Sequence, residues 1–292
     1  MEYYFICTAL LLFGLCLGSF AGATTWRLRA HQLAADEANG EPVDIDEYKK
    51  LKKLSKVQIK NDRSSCLNCS YALQWYDMIP LVSWIFLRGK CRKCHKPIGY
   101  FEPIIELCVA GFFILSFVLW PYSLNTFIDI SRLVLWLTAG VGLAILFAYD
   151  TKWSLLPDSA SVFVAVTGLI TTIIVLVESQ DRVATLISII GSVLILSGLY
   201  LFLYLISKGR WIGFGDIKLG LGLALLLADW KLAFIALFAA NFVGCLVVIP
   251  GLITKKLKRD SHVPFGPLLI VGFVIAAFIG KYLIDLLFFS LV

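Results

Sequence analysis

The chain alternates long apolar runs with short polar joints. A helix needs about 20 mostly apolar residues to cross the hydrocarbon core of a bilayer. On that measure the candidate spans are 3–25, 104–122, 127–149, 159–177, 185–206, 217–229, 231–253 and 265–290, eight in all, with 217–229 the shortest. One large polar piece, 26–103, separates the first run from the second. No long repeat interrupts the series. The pattern predicts an all-α polytopic membrane protein of about eight transmembrane helices. Its parts are a first transmembrane helix at 1–25, a polar domain at 26–103 and a multi-helix membrane domain at 104–292.

Composition agrees with the pattern. Of 292 residues, 59% are hydrophobic and 16% charged, and the mean hydropathy of +0.85 excludes an ordinary soluble domain. The formal net charge is +6, and its placement says more than its sum. With the N-terminus outside, 22 of the 26 Lys and Arg residues fall in inner loops or at their edges, and only Arg132, Arg182, Lys231 and Lys281 do not. The excess of positive charge predicts that 26–103, 150–158, 207–216 and 254–264 are cytoplasmic. The first apolar run starts with Glu2 and is followed by Arg27 and Arg29, so it is expected to be a retained anchor rather than a cleaved signal. Nucleic acid is not an expected partner; membrane lipid is.

Eight cysteines change the picture of the polar domain. Cys7, Cys16, Cys108 and Cys245 lie singly in apolar runs and read as packing residues. Cys66 and Cys69 form one C-x-x-C, Cys91 and Cys94 another, with 21 residues between the pairs. That spacing predicts a four-thiolate zinc knuckle within 63–100. All four ligands are sulfur, so the metal is expected to be structural. A reducing cytoplasm disfavours the alternative, a pair of disulfides. His95 adjoins Cys94 and is expected to be a solvated neighbour, not a ligand. Upstream, an acidic stretch (Asp36 to Glu47) precedes a basic one at 49–60, where Leu51, Leu54 and Val57 recur at helical spacing. Two readings stand: an amphipathic helix on anionic lipid, or a solvated helix paired with the preceding acids.

The remaining chemistry lies in aspartates at span ends. The stretch 147–158 reads FAYDTKWSLLPD, and 213–218 reads GFGDIK. Asp158, next to Pro157 before an apolar run, suits a helix-start role. Asp150 does not, because a carboxylate at a helix C-terminus opposes the dipole; Lys152 is a candidate local partner. Asp216 follows Gly213 and Gly215, which let backbone approach closely. Loop topology puts Asp150 and Asp216 at the same membrane face. Two carboxylates there can share one proton, one acting as base toward water and the other holding a carbonyl. The three histidines, His31, His95 and His262, sit in polar loops, so no Ser–His or Cys–His arrangement competes. A proton- or ion-coupled transporter is the rival class; it predicts acids deep within spans and gives no use for a cysteine knuckle.

Taken in order, GSFAGATTWRL (18–28), WYDMIPLVSWIFLRGKC (75–91) between the C-x-x-C pairs, PIGYFEPIIEL (97–107), DTKWSLLPD (150–158) and GFGDIKL (213–219) resemble the type IV prepilin peptidase family, GxGD-type aspartyl proteases of the bacterial inner membrane. The resemblance covers nearly the whole chain. It implies that Asp150 and Asp216 are catalytic. It implies that Cys66, Cys69, Cys91 and Cys94 hold zinc in a cytoplasmic domain. It further implies cleavage of prepilin or pseudopilin leaders after a glycine at the cytoplasmic face, followed in many members by N-methylation of the new N-terminus from S-adenosylmethionine. The family often has Asn where this chain has Gly22, and 30–62 matches none of its motifs. No glycine-rich nucleotide fingerprint is present. Glu102 and Glu106 stand equally as partners for a basic leader and as ordinary helix-start acids.

Overall fold

The computed structural model describes residues 2–55, 63–255 and 263–289. They form helices joined by short loops, in two compact units, Met1–Val118 and Leu119–Val292.

In the first unit the opening helix does not end with its apolar run. α1 spans Glu2–Ala38, 37 residues, or about 56 Å at 1.5 Å per residue. Its polar part, 26–38, is rich in alanine, the best helix former, and nothing in it breaks the helix. α1 packs against α4 (Phe101–Val118) through small residues. A Cβ on Gly18 would lie 2.5 Å from Glu106 Cα, and one on Gly14 2.7 Å from Ala110 Cα, so the two backbones touch as closely as glycine allows. Beyond the apolar run, α1 receives α2 (Ile45–Ser55). Tyr48 and Leu51 of α2 are buried with Ala30 and Leu33 of α1, and Leu54 packs beside them. Arg29 pairs with Glu47 at 2.7 Å, and the Tyr48 hydroxyl donates to Glu37. The apolar face of α2 is therefore covered by α1, which disfavours the lipid-facing one of the two readings. Val57 and the rest of that stretch to 60 lie outside the described residues. The short helix α3 (Val82–Phe86) stands between the two cysteine pairs.

The second unit contains α5 (Phe127–Trp153), α6 (Asp158–Glu178), α7 (Arg182–Val193), α8 (Leu199–Ser207), α9 (Phe214–Leu227), α10 (Trp230–Ile253) and α11 (Phe265–Phe289). α7 runs into α8 through a π-helical turn, Leu194–Gly198, so Arg182–Ser207 is one apolar rod. Among the described residues, seven helices are long and apolar enough to cross a membrane: α1, α4, α5, α6, the α7–α8 rod, α10 and α11. The eighth expected span, 217–229, is α9, and its 14 residues measure about 21 Å against a core of about 30 Å. Its apolar residues serve packing instead: Leu219, Leu223 and Ala224 are all at most 1% exposed. Three hydroxyls from neighbouring helices donate to its carbonyls. Ser197 reaches Ile217 O at 3.1 Å, Ser192 reaches Ala224 O at 2.9 Å and Thr172 reaches Leu225 O at 2.7 Å. Hydroxyl donors to otherwise complete helix carbonyls tie apolar helices together where no water competes. They fix α9, and Asp216 on its first turn, against α6 and the π turn.

Candidate active site and candidate metal centre

Asp150 lies on the last turn of α5. Its carbonyl accepts the Ser154 N–H at 2.8 Å, and Ser154 takes a left-handed conformation (φ 52°) that ends the helix. The Asp150 side chain is 4% exposed. It accepts from the backbone N–H of Gly266, at the start of α11, and it lies within electrostatic reach of Asp216. Among the described residues its Oδ2 has no hydrogen-bond partner. Lys152, expected as a local partner, sits with its ammonium over the Trp153 ring, 5.3 Å from the centroid.

Asp216 is on the first turn of α9. Its N–H donates to Gly213 O at 3.2 Å, and its carboxylate receives the Gly213 backbone N–H. The helix start supplies partial positive charge to a carboxylate there. The helix dipoles thus separate the pair: α9 welcomes its aspartate, whereas α5 opposes its own and the Gly266 N–H compensates.

Leu156, in the α5–α6 loop, packs between the two positions. A Cβ on Gly215 would lie 3.0 Å from Leu156 Cβ, and one on Gly266 3.5 Å from Leu156 Cδ2. A Cβ on Gly266 would also lie 2.6 Å from Asp150 Oδ2, so glycine is required where the α11 backbone meets the carboxylate. Tyr200, on the turn after the π segment, is 4% exposed. It lies within electrostatic reach of Asp216, and its ring is 5.3 Å from Phe265. Neither Gly266 nor Tyr200 was singled out by the sequence reading. The available signal was Pro264-Phe265-Gly266-Pro267, a glycine between prolines where an apolar run begins. Asp158 does not act as a cap: its carboxylate takes the Lys218 ammonium of α9 at 2.6 Å, in the open.

The cysteines of the first unit come together. Their four sulfurs all lie within 4.8 Å of one another, with Cys66 to Cys94 and Cys69 to Cys91 both at 3.9 Å. Four sulfurs each about 2.3 Å from one tetrahedral ion stand about 3.8 Å apart, while a disulfide needs about 2.05 Å. The donor set therefore fits a metal ion. The two knuckles repeat one geometry. Cys66 N–H donates to Tyr71 O and Cys91 N–H to Lys96 O, both at 2.9 Å. The residue after each second cysteine is left-handed, Ser70 at φ 57° and His95 at φ 56°. His95 is exposed and serves the turn. The backbone N–H groups of Cys69 and Asn68 oppose burial at Cys66, yet burial pushes that thiol up to about 12. At Cys91 burial also raises the thiol, but the N–H groups of Cys94 and Lys93 and the thiols of Cys66 and Cys94 together outweigh it and hold Cys91 at about 7. Between the knuckles, buried Asp77 pairs with Arg92 at 2.7 Å and accepts the Gln74 N–H at 3.2 Å.

Glu102 and Glu106, candidates for meeting a basic leader, are engaged inside the unit. Trp26 Nε1 donates to Glu102 Oε1 at 3.1 Å, and the Leu81 N–H donates to Glu106 Oε2 at 2.8 Å. His31 lies on α1, and His262 is outside the described residues.

The model of the bacterial peptidase A24 N-terminal domain matches residues 12–120, and that of the type IV leader peptidase family matches residues 137–249. A type 4 prepilin-like proteins leader peptide-processing enzyme of Escherichia coli O78:H11 is 31% identical, over 89% of this chain and 88% of its own. A prepilin leader peptidase/N-methyltransferase of Pseudomonas aeruginosa is 29% identical over 95% of this chain and 91% of its own. A protein of the same name from Legionella pneumophila is 27% identical over 94% and 91%. No solved structure matches the chain.

Proposed function

We propose, on the premise that this chain belongs to the type IV leader peptidase family, that Asp150 and Asp216 are the side chains that cut the peptide bond. The chain is a membrane-embedded prepilin leader peptidase and N-methyltransferase. The observation that carries the catalytic assignment is the approach of two carboxylates from different helices, one of them 4% exposed, at the ends of their helices.

Two like charges in a partly dehydrated site favour a state with one proton between them. The ionised carboxylate takes a proton from water as its oxygen attacks the scissile carbonyl carbon. The protonated one donates to the carbonyl oxygen, and the leaving amine then takes a proton as the C–N bond breaks. The pair ends with one proton, as it began. Helix-end placement suits a bond at the membrane boundary better than the mid-span acids of a transporter relay. Lys and Arg placement supports a cytoplasmic site and an outside N-terminus. The substrates are prepilin or pseudopilin precursors, cut behind a basic leader.

Cys66, Cys69, Cys91 and Cys94 hold a structural zinc: four sulfurs fill a tetrahedral shell and leave no position for water. S-adenosylmethionine supplies the methyl group for the new N-terminus. The test is purified protein with a synthetic precursor, with and without S-adenosylmethionine, followed by mass spectrometry. Leader loss without the methyl donor, and a further 14 Da (about one CH₂ unit,) with it, is the expected result. An uncut precursor contradicts the peptidase assignment.

A further inference from the structure

The stretch between the two knuckles turns apolar side chains outward. Trp75, Met78, Ile79, Val82, Ile85 and Phe86 are all exposed, Phe86 to 82%, Trp75 to 73% and Ile85 to 64%. None of them belongs to a helix long enough to cross a membrane. An exposed apolar surface on this scale marks an interaction site.

The level of this face is set by its neighbours within the first unit. α4 has 18 residues, about 27 Å, close to the hydrocarbon thickness of about 30 Å, so its first turn stands at the edge of the core. α1 agrees with that level. Trp26, where its apolar run gives way to Arg27 and Arg29, lies against the same turn, its ring 5.6 Å from Phe101 and its Nε1 3.1 Å from Glu102. α3 is tied there too. The Leu81 N–H donates to Glu106 Oε2 at 2.8 Å, Trp84 Nε1 donates to Gly99 O at 2.7 Å, and the Trp84 and Tyr100 rings are 5.2 Å apart. Ile98, Tyr100, Ile104 and Leu107 are exposed as well, and they carry the apolar surface on to the outer side of α4.

Charge marks the kind of partner. Residues 63–100 hold six Lys and Arg and one acid, Asp77. Asp77 is buried and taken by Arg92, so it does not offset the others. Arg63, Arg88, Lys90, Lys93 and Lys96 are exposed, with Arg88 and Lys90 coming just after α3. Outward aromatic and aliphatic side chains flanked by cations, at the edge of the hydrocarbon core, fit anionic headgroups. We propose that α3 and the turn before it rest in the headgroup layer of an anionic bilayer, with Trp75, Ile85 and Phe86 directed toward the acyl chains. The knuckle module then lies on the membrane that α1 and α4 cross. α2 is not this anchor, because its apolar face is covered by α1. The docking stands apart from whether the chain cleaves a precursor.

Photochemical labelling tests it on full-length, zinc-loaded protein in liposomes without precursor. The photoreactive residue p-benzoyl-phenylalanine replaces Phe86 or, as a control, Asn39, which is exposed just beyond α1, about 20 Å along the chain from Trp26. Zinc content and melting temperature verify that each variant is folded. In liposomes containing phosphatidylglycerol, position 86 forms lipid adducts detected by mass spectrometry and position 39 does not. Liposomes of phosphatidylcholine alone, or Lys90→Gln with Lys93→Gln in the anionic ones, lower the yield at 86 about fivefold or more, the scale of one cation at an anionic surface. Equal lipid labelling at 86 and 39, no lipid adduct at 86, adducts at 86 only to 119–292 or to a second copy, or a yield indifferent to lipid charge overturns the proposal. A face built to hold an apolar peptide gives the second of these results, because no peptide is present.

Discussion

The cysteine centre and the aspartate pair bring side chains together by opposite means. Each knuckle is local: two sulfurs three residues apart on one turn, closed by one backbone bond from the N–H and one to the carbonyl of Cys66 or Cys91. A metal ion can then join two such turns with little help from a core, which the small apolar content around them would not supply. The aspartates have no such local device. Asp150 comes from the end of α5, Asp216 from the start of α9 and the Gly266 N–H from the start of α11. Their meeting depends on three hydroxyl-to-carbonyl bonds that seat α9, on the Leu156 wedge and on two glycines. A centre held by ligands should fail when a ligand is lost; a centre held by helix packing should fail when a neighbour grows.

The largest expected effect is on the pair itself. Asp150→Asn or Asp216→Asn lowers leader cleavage by about 10²–10⁴-fold, the range for loss of positioned acid–base catalysis, while bound zinc stays at the wild-type level. Precursor band shift and metal analysis on the same preparation read both. Next is Gly266→Ala, whose Cβ would press on Asp150 Oδ2 at 2.6 Å. Cleavage is expected to fall by about 10²-fold from sub-ångström misplacement, with helix content by circular dichroism unchanged. Wild-type cleavage by this variant would contradict the packing account.

Cys66→Ser sharpens the other half of the comparison. It removes one of four ligands, so bound zinc falls from about one per chain and the loop between the knuckles becomes open to protease. The same centre should lose metal on acidification. A thiolate ligand must stay deprotonated, so affinity falls as pH drops and recovers as it rises. Metal content by mass spectrometry after dialysis across that range checks the sign; acid-resistant, alkali-labile metal would contradict thiolate ligation. The smallest effect belongs to Lys218→Ala. Its ion pair with Asp158 is exposed, 34% and 73% by side chain, and such pairs contribute less than about 1 kcal/mol. Its melting temperature should stay close to that of the wild type.

How much of this could be read from the residues follows the same division. The knuckle was legible because its ligands are close in sequence and their spacing reports a turn. The aspartates were legible as unusual residues at span ends, but their approach joins positions 66 residues apart, and no local pattern encodes that. Gly266 was missed for the same reason, being 116 residues from the carboxylate it serves. Hydrophobicity also misled at 217–229. An apolar run reports that side chains avoid water, not whether lipid or neighbouring helices cover them, and α9 is covered by helices. The α1 extension through Ala38 was hidden by its polarity, because the sequence was divided by hydropathy where the helix itself continues. Its partner, α2, showed an apolar spacing whose direction only the packed structure resolves.

The claim that most depends on the structure is that Asp150 and Asp216 act as one unit. Single-turnover cleavage by Asp150→Asn, Asp216→Asn and the double variant, with enzyme in excess, tests it directly. Groups that act together are strongly non-additive, so the double variant is predicted to cleave no more slowly than either single one. A single variant that keeps the wild-type rate, or a double variant whose loss equals the product of two partial losses, would contradict it.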